Sequence, residues 1–265
     1  MLKLKQTMIA GILVSALLLT PAAAVHLTID GTPLTTTTVV EAGTTYVPLR
    51  SVAPKLGKVT VGWQGGAARV TSYTLSLTAR PGQQYLEANG RCFYIPGGIR
   101  VLDGSVMVPV RTLADAMGGS VHWDSATGTV RIFSGSGVPK AADYNRQDLY
   151  WLSRIISAES KGEALDGKLA VGTVILNRVT SSDFPNTIYD VIFDTKWGVQ
   201  FTPISNGTIY DDPTQESVAA AKLVLEGVRK AGNSLYFLNP ALAANHWAAQ
   251  NRPYVTTIGS HKFYS

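Results

Sequence analysis

Among the acidic residues, Glu159 has the setting best suited to chemistry. In the stretch from Gln147 to Lys161, Leu149, Leu152 and Ile156 fall at helical spacing, Ile155 lies alongside, and Glu159 continues the same face. A carboxylate at the end of an apolar stripe is drawn out of water. That disfavours its charged form and raises its pKa into the range of a general acid. The competing reading is a solvated carboxylate where the stripe reaches the surface, a common way for helices to end. Glu163 follows one helical turn later and is the nearest candidate for a second carboxylate. Gly162 stands between them and favours a loop or capping role for Glu163. Asp183, Asp190 and Asp194 have the sequence contexts of loop and helix ends. His246 and His261 are joined by no HExxH pattern, so zinc peptidase or amidase chemistry has little support, and no metal or cofactor is expected. Cys92 is the only cysteine; no intramolecular disulfide can form, and buried packing is its expected role.

The elements that must hold Glu159 read as a helical hairpin. Gly162 to Gly167 is turn-rich, and Lys168 to Val179 returns as a second helix carrying Leu169, Val171, Val174, Ile175 and Leu176. Further on, Asp212-Pro213 predicts the start of a helix running to about Lys230, with Val218, Ala221, Leu225 and Val228 as its buried stripe and Gly232 ending it. The first half of the chain is different. Tyr46-Val47-Pro48-Leu49-Arg50-Ser51-Val52-Ala53 recurs as Met107-Val108-Pro109-Val110-Arg111-Thr112-Leu113-Ala114, and Trp63 is echoed by Trp123. Each copy reads as a short strand, a small helix ending at Gly57 or Gly118, and a hairpin. Between the copies, Thr71 to Leu77 and Gln84 to Ile95 alternate β-branched and aromatic residues around Pro81-Gly82 and Asn89-Gly90, which are strand and turn signals.

Ser134 to Ala142, with Gly-Ser-Gly and Pro139, reads as a flexible linker, after which period-two patterning gives way to helical spacing. At the start of the chain, Lys3 and Lys5 precede an apolar run from Met8 to Leu19 and Ala22-Ala23-Ala24, the pattern of a secretory signal peptide cleaved after Ala24. The run is short for a membrane span. The expected organisation is therefore a signal peptide over 1–24, a module over 25–133, a linker over 134–142 and a second domain over 143–265. Lys3 and Lys5 are the only charges in the leader, so the remainder keeps a mild basic excess from the formal net charge of +5. That suits an anionic polymer, but no dense Lys/Arg run points to nucleic acid.

Residues 27 to 133 resemble the copper amine oxidase N-terminal-like domain of exported bacterial proteins. Only His26 and His122 lie in that half, too few for a copper site. The resemblance implies an accessory module used for attachment or assembly to a wall or spore-coat partner, or a spacer. Arg154 to Glu163, Ala170 to Val179, Phe184-Pro185-Asn186-Thr187-Ile188, Gln200-Phe201, Leu235 to Pro240 and Ile258 to Phe263 closely resemble, in order, the SleB and CwlJ cell-wall hydrolase family. This implies an α+β chain in which the strand-rich repeat module precedes a mostly helical, lysozyme-like catalytic domain with a few short strands. It also implies an exported enzyme acting on peptidoglycan glycan strands of the wall or spore cortex, with Glu159 as catalytic residue. Glu159 would protonate the glycosidic oxygen, and the muramic acid C6 hydroxyl would attack to give a 1,6-anhydro end. Attack by water would instead call for a second carboxylate. Gln200, Phe201, Tyr236, Asn239 and Trp247 supply amide and aromatic groups suited to binding the sugar, although Phe201 and Tyr236 also fit core positions. A non-catalytic wall-binding protein that keeps the fold is the alternative.

Overall fold

The computed structural model describes residues 25–196, 198–243 and 246–265. The leader peptide expected over 1–24 lies outside the described residues. Among the described residues no helix is long and apolar enough to cross a membrane.

The repeat organises the first half. β3 (Val39–Glu41), β4 (Thr44–Pro48) and α1 (Leu49–Leu56) form one copy, and β10 (Arg100–Leu102), β11 (Ser105–Pro109) and α2 (Val110–Ala116) form the other. The copies pair with each other through β4 and β11, antiparallel, with Val47 opposite Val108 and Tyr46 opposite Pro109. Val47 and Val108 are equivalent positions, so a local two-fold axis passes between them and the sheet order β10-β11-β4-β3 is symmetric about it. Each copy continues into a hairpin, β5 (Thr60–Gln64) with β6 (Ala67–Thr71), and β12 (Ser120–Asp124) with β13 (Thr129–Phe133). The first hairpin extends into a five-stranded meander through β7 (Ser76–Ala79), β8 (Tyr85–Ala88) and β9 (Arg91–Tyr94), while the second receives β1 (His26–Ile29) parallel to β13, with β2 (Thr32–Pro33) at the edge. Val47, Val52, Leu77, Leu86, Val108 and Leu113 are fully buried within one apolar core.

The second half is mostly helical. α3 (Arg146–Ser160) opens on Asn145, whose side chain accepts from the Asp148 backbone N–H, and α4 (Leu165–Thr180) returns beside it. α5 (Ile188–Ile192) and α6 (Thr202–Asn206) are short. α7 (Gln215–Leu225) packs on both α3 and α4, and β14 (Tyr236–Leu238), β15 (Tyr254–Ile258) and β16 (His261–Tyr264) make a three-stranded sheet in the order β14-β16-β15. α8 (Trp247–Asn251) lies between β14 and β15 in the chain.

Two expectations need correction. α7 is shorter than the run from Asp212 to Lys230. Thr214 caps it by accepting from the Ser217 N–H, and Gly227, at φ +99°, lies just beyond its end. Its buried stripe is Ser217, Ala220, Ala221 and Val224, because small residues let α7 lie close against two helices at once. The segment after β13 is also not a free tether. Ser134 donates to the Asp30 carboxylate, the Gly137 N–H donates to Met117 O at 3.0 Å, and Arg91 donates to Lys140 O at 2.9 Å. Its glycines therefore allow close packing against the Gly118–Gly119 backbone rather than looseness.

The β8–β9 hairpin joins the halves. Cys92 is buried among the residues of the helical core, with Tyr85 and Tyr94 packed beside it, and burial pushes its thiol up to about 12. Around it, Arg91 pairs with Glu226 at 2.7 Å, Tyr94 donates to Asp166 at 2.8 Å, and Lys222 donates to Gly90 O at 2.6 Å.

Candidate active site

Glu159 sits in the last turn of α3, half-buried, on the face that carries the fully buried Leu152, Ile155 and Ile156. Burial pushes its carboxyl up to about 7, and the nearby Arg178 guanidinium offsets this only in part. No side-chain hydrogen bond reaches the carboxylate among the described residues. A carboxyl raised this far keeps a protonated fraction at neutral pH, the form a general acid needs.

Arg178 is the residue that sequence reading missed. It lies on α4 seven positions after Val171, with Val174 and Ile175 between, so it is a charge on the buried helix face, and that pattern was its available signal. Its Nε donates to Leu235 O at 2.7 Å, and its guanidinium lies 4.7 Å from the Phe184 ring centre, 5.2 Å from that of Phe201 and 5.4 Å from that of Tyr236. Burial lowers it to about 10, with Tyr236, Asp194 and Glu159 pulling back upward, so it stays charged at neutral pH. Its Nη1 is buried without a hydrogen-bond partner among the described residues. Tyr236 extends the cluster outward, packing edge-on to Trp247 at 5.7 Å, while Arg252 lies over both rings and donates to the Tyr236 hydroxyl at 3.1 Å.

Tyr236 and Phe201 are thus brought to Arg178, and Trp247 joins them through Tyr236. Phe201 is only 3% exposed and packs on Phe237, so in this conformation it supports Arg178 from the core and offers no face to a sugar. Gln200 precedes it and spends its amide N–H on Gly198 O at 3.1 Å. Asn239 uses its side-chain oxygen to accept from the Ala241 N–H, closing a turn at the end of β14.

Glu163 is engaged elsewhere. Its carboxylate accepts from the Ser260 N–H at 3.2 Å and lies 3.6 Å from His261 Nδ1, so it ties the α3–α4 bend to the β15–β16 turn. Gly259, at φ +58°, makes this possible, because a Cβ there would collide with the Glu163 carboxylate. Lys168, 2% exposed, donates to Glu163 O and pairs with Glu216 at 3.0 Å, fixing the same bend to α7.

A carboxyl raised toward neutrality, a buried guanidinium and neighbouring aromatic rings make this a candidate acid–base site. Two family models match the chain: Copper amine oxidase N-terminal domain over residues 28–132, and Cell Wall Hydrolase over residues 162–264, a span that begins just after Glu159. The spore cortex-lytic enzyme of Bacillus cereus is 38% identical over 129 residues, 49% of this chain and 48% of that protein. Cell wall hydrolase CwlJ of Oceanobacillus iheyensis is 33% identical over 129 residues, 46% of this chain and 89% of that protein. The solved catalytic domain of the germination-specific lytic transglycosylase SleB from Bacillus anthracis is 36% identical, covering 48% of this chain and 100% of that one with a TM-score of 0.43. The chain spans about half the length of the curated spore cortex-lytic enzymes it matches first. It belongs to the cell wall hydrolase family.

Proposed function

We propose that this protein is an exported enzyme that cleaves the glycan strands of peptidoglycan, in the spore cortex or the vegetative wall, with Glu159 as the general acid. The observation that carries the reading is the Glu159 carboxyl held near neutrality on the apolar face of α3. The names of the relatives, spore cortex-lytic enzyme and cell wall hydrolase, favour this polymer.

In this reading Glu159 protonates the glycosidic oxygen as the bond to the anomeric carbon breaks. Arg178 holds the acid's pKa from rising further and offsets the charge of the carboxylate left behind. Tyr236 and Trp247 form the wall along which the sugar lies. The muramic acid C6 hydroxyl attacks the anomeric carbon, its proton returns to Glu159, and a 1,6-anhydro end results. The engagement of Glu163 with Ser260 and His261 favours this route over hydrolysis by paired carboxylates. Mass spectrometry of digested glycan strands tests it: anhydro ends support the internal attack, and reducing ends indicate that water is the nucleophile. No released fragments at all would favour a wall-binding protein that keeps the fold without turnover.

A further inference from the structure

The structure assigns a second carbohydrate site, present twice, to the repeat module: two clefts related by the local two-fold axis, each suited to one carboxylate-bearing sugar of a glycan strand. One cleft, of about 280 Å³, is lined by Arg111, Val121 and Trp123 of the second copy and by the Gly43-Thr44 turn of the first. The other, of about 100 Å³, is lined by Arg50, Val61 and Trp63 of the first copy and by the Gly104-Ser105 turn of the second. These residues occupy equivalent positions, so each copy lends its β-turn to the cleft of the other. The turns themselves match, with Ala42-Gly43 and Asp103-Gly104 both carrying two successive positive φ values.

Trp123 is 48% exposed and Trp63 57%, and neither ring meets an aromatic or cationic partner among the described residues. Two equivalent tryptophans left open beside two equivalent arginines are not explained by the core of the module, which the rest of the repeat builds without them. An indole face offers a flat apolar platform to a sugar ring, and a guanidinium offers paired donors to a carboxylate. Arg111 is already oriented, donating to Val121 O at 2.8 Å from within its cleft. Both clefts are smaller than pockets that enclose a small molecule, which favours a polymer read from its side. Two weak sites on one module gain through avidity on a polymer with a repeating carboxylate, which wall glycan offers where its muramic acids carry no stem peptide. The identification of wall glycan as that polymer rests on the proposed activity; the clefts themselves do not.

The test uses the full chain carrying Glu159→Gln, so that binding is measured without turnover, on three probes: glycan strands freed of stem peptides, isolated stem peptides, and neutral chitin oligosaccharides. Strands should bind, with Trp123→Ala weakening them by roughly tenfold and Trp63→Ala with Trp123→Ala by roughly 100-fold. Arg50→Gln with Arg111→Gln should act in the same direction and narrow the gap between strands and chitin oligosaccharides. In the Glu159 background the Trp63→Ala, Trp123→Ala chain should cleave short peptide-free strands as the parent does and cleave long peptide-free strands more slowly. Parental strand binding by both double variants, binding of stem peptides alone, or chitin oligosaccharides bound as tightly as strands would overturn the proposal, whatever the outcome for cleavage.

Discussion

Among single residues, Glu159 is the one whose chemistry burial changes most usefully. Its carboxyl is raised from an ordinary 4.5 to about 7, so the folded state holds its proton more tightly than the unfolded chain. Two outcomes follow, with their signs fixed. Cleavage should be flat in acid and fall as pH rises through about 7, where the acid loses its proton, and a pH–rate profile checks this. Stability should also decline between pH 4.5 and 7, because ionising Glu159 in place is unfavourable. Glu159→Gln cannot ionise, so it should unfold at higher denaturant than the parent at pH 8, by at most about 3 kcal/mol, and match it below pH 4.5. Arg178→Met removes the positive charge that offsets burial and should move the alkaline limb of the profile to higher pH; an unmoved limb would restrict Arg178 to packing. The position of Glu159 on an apolar face was legible from spacing, while its role as the acid came from the family resemblance. Arg178 was legible in principle, as a charge at offset 7 from Val171, but its role depends on Leu235 and Tyr236, which are far away in the chain. No local pattern could report that Asn239 and Gln200 spend polar atoms on their own loops, or that Phe201 faces inward.

At the scale of elements, the helical hairpin α3–α4 and the duplicated strand–helix units were legible from periodicity and from the repeat. The register of β4 against β11 was not, since a two-fold pairing is a tertiary choice that the strands do not encode separately. The end of α7 was misread because Val228 continues an apolar rhythm that the backbone abandons at Gly227. The bend between α3 and α4 depends on the Glu163 clasp. Gly259→Ala introduces a Cβ at a left-handed position against that carboxylate and should cost about 1–3 kcal/mol by chemical denaturation. A loss below about 0.5 kcal/mol would show that the clasp contributes little.

At the scale of the whole molecule, the sequence suggested two units joined by a flexible tether, and the structure shows a tether strapped to the first unit and a β8–β9 hairpin set into the second. Cys92 carries that contact, and its burial was foreseen while its location was not, because a strand residue does not announce which core receives it. Residues 143–265 expressed alone should still cleave short soluble strands, since Glu159, Arg178, Tyr236 and Trp247 all lie within them. They should melt several degrees below the corresponding transition of the full chain, with each lost kcal/mol worth about 4 °C at this size. Equal melting temperatures, read by calorimetry, would mean that the hairpin contact adds no stability.

The most direct measurement compares Glu159→Gln with Glu163→Gln on purified glycan strands, scoring both rate and product ends, with circular dichroism confirming that each is folded. Glu159→Gln keeps size and hydrogen bonding but cannot donate an acidic proton, so cleavage should fall by about 10² to 10⁴. Glu163→Gln should retain substantial activity and the same anhydro ends, because its carboxylate serves the Ser260 and His261 clasp. Parental cleavage by folded Glu159→Gln would contradict the assignment of the acid, and equal loss in Glu163→Gln with reducing ends from the parent would place two carboxylates in the reaction.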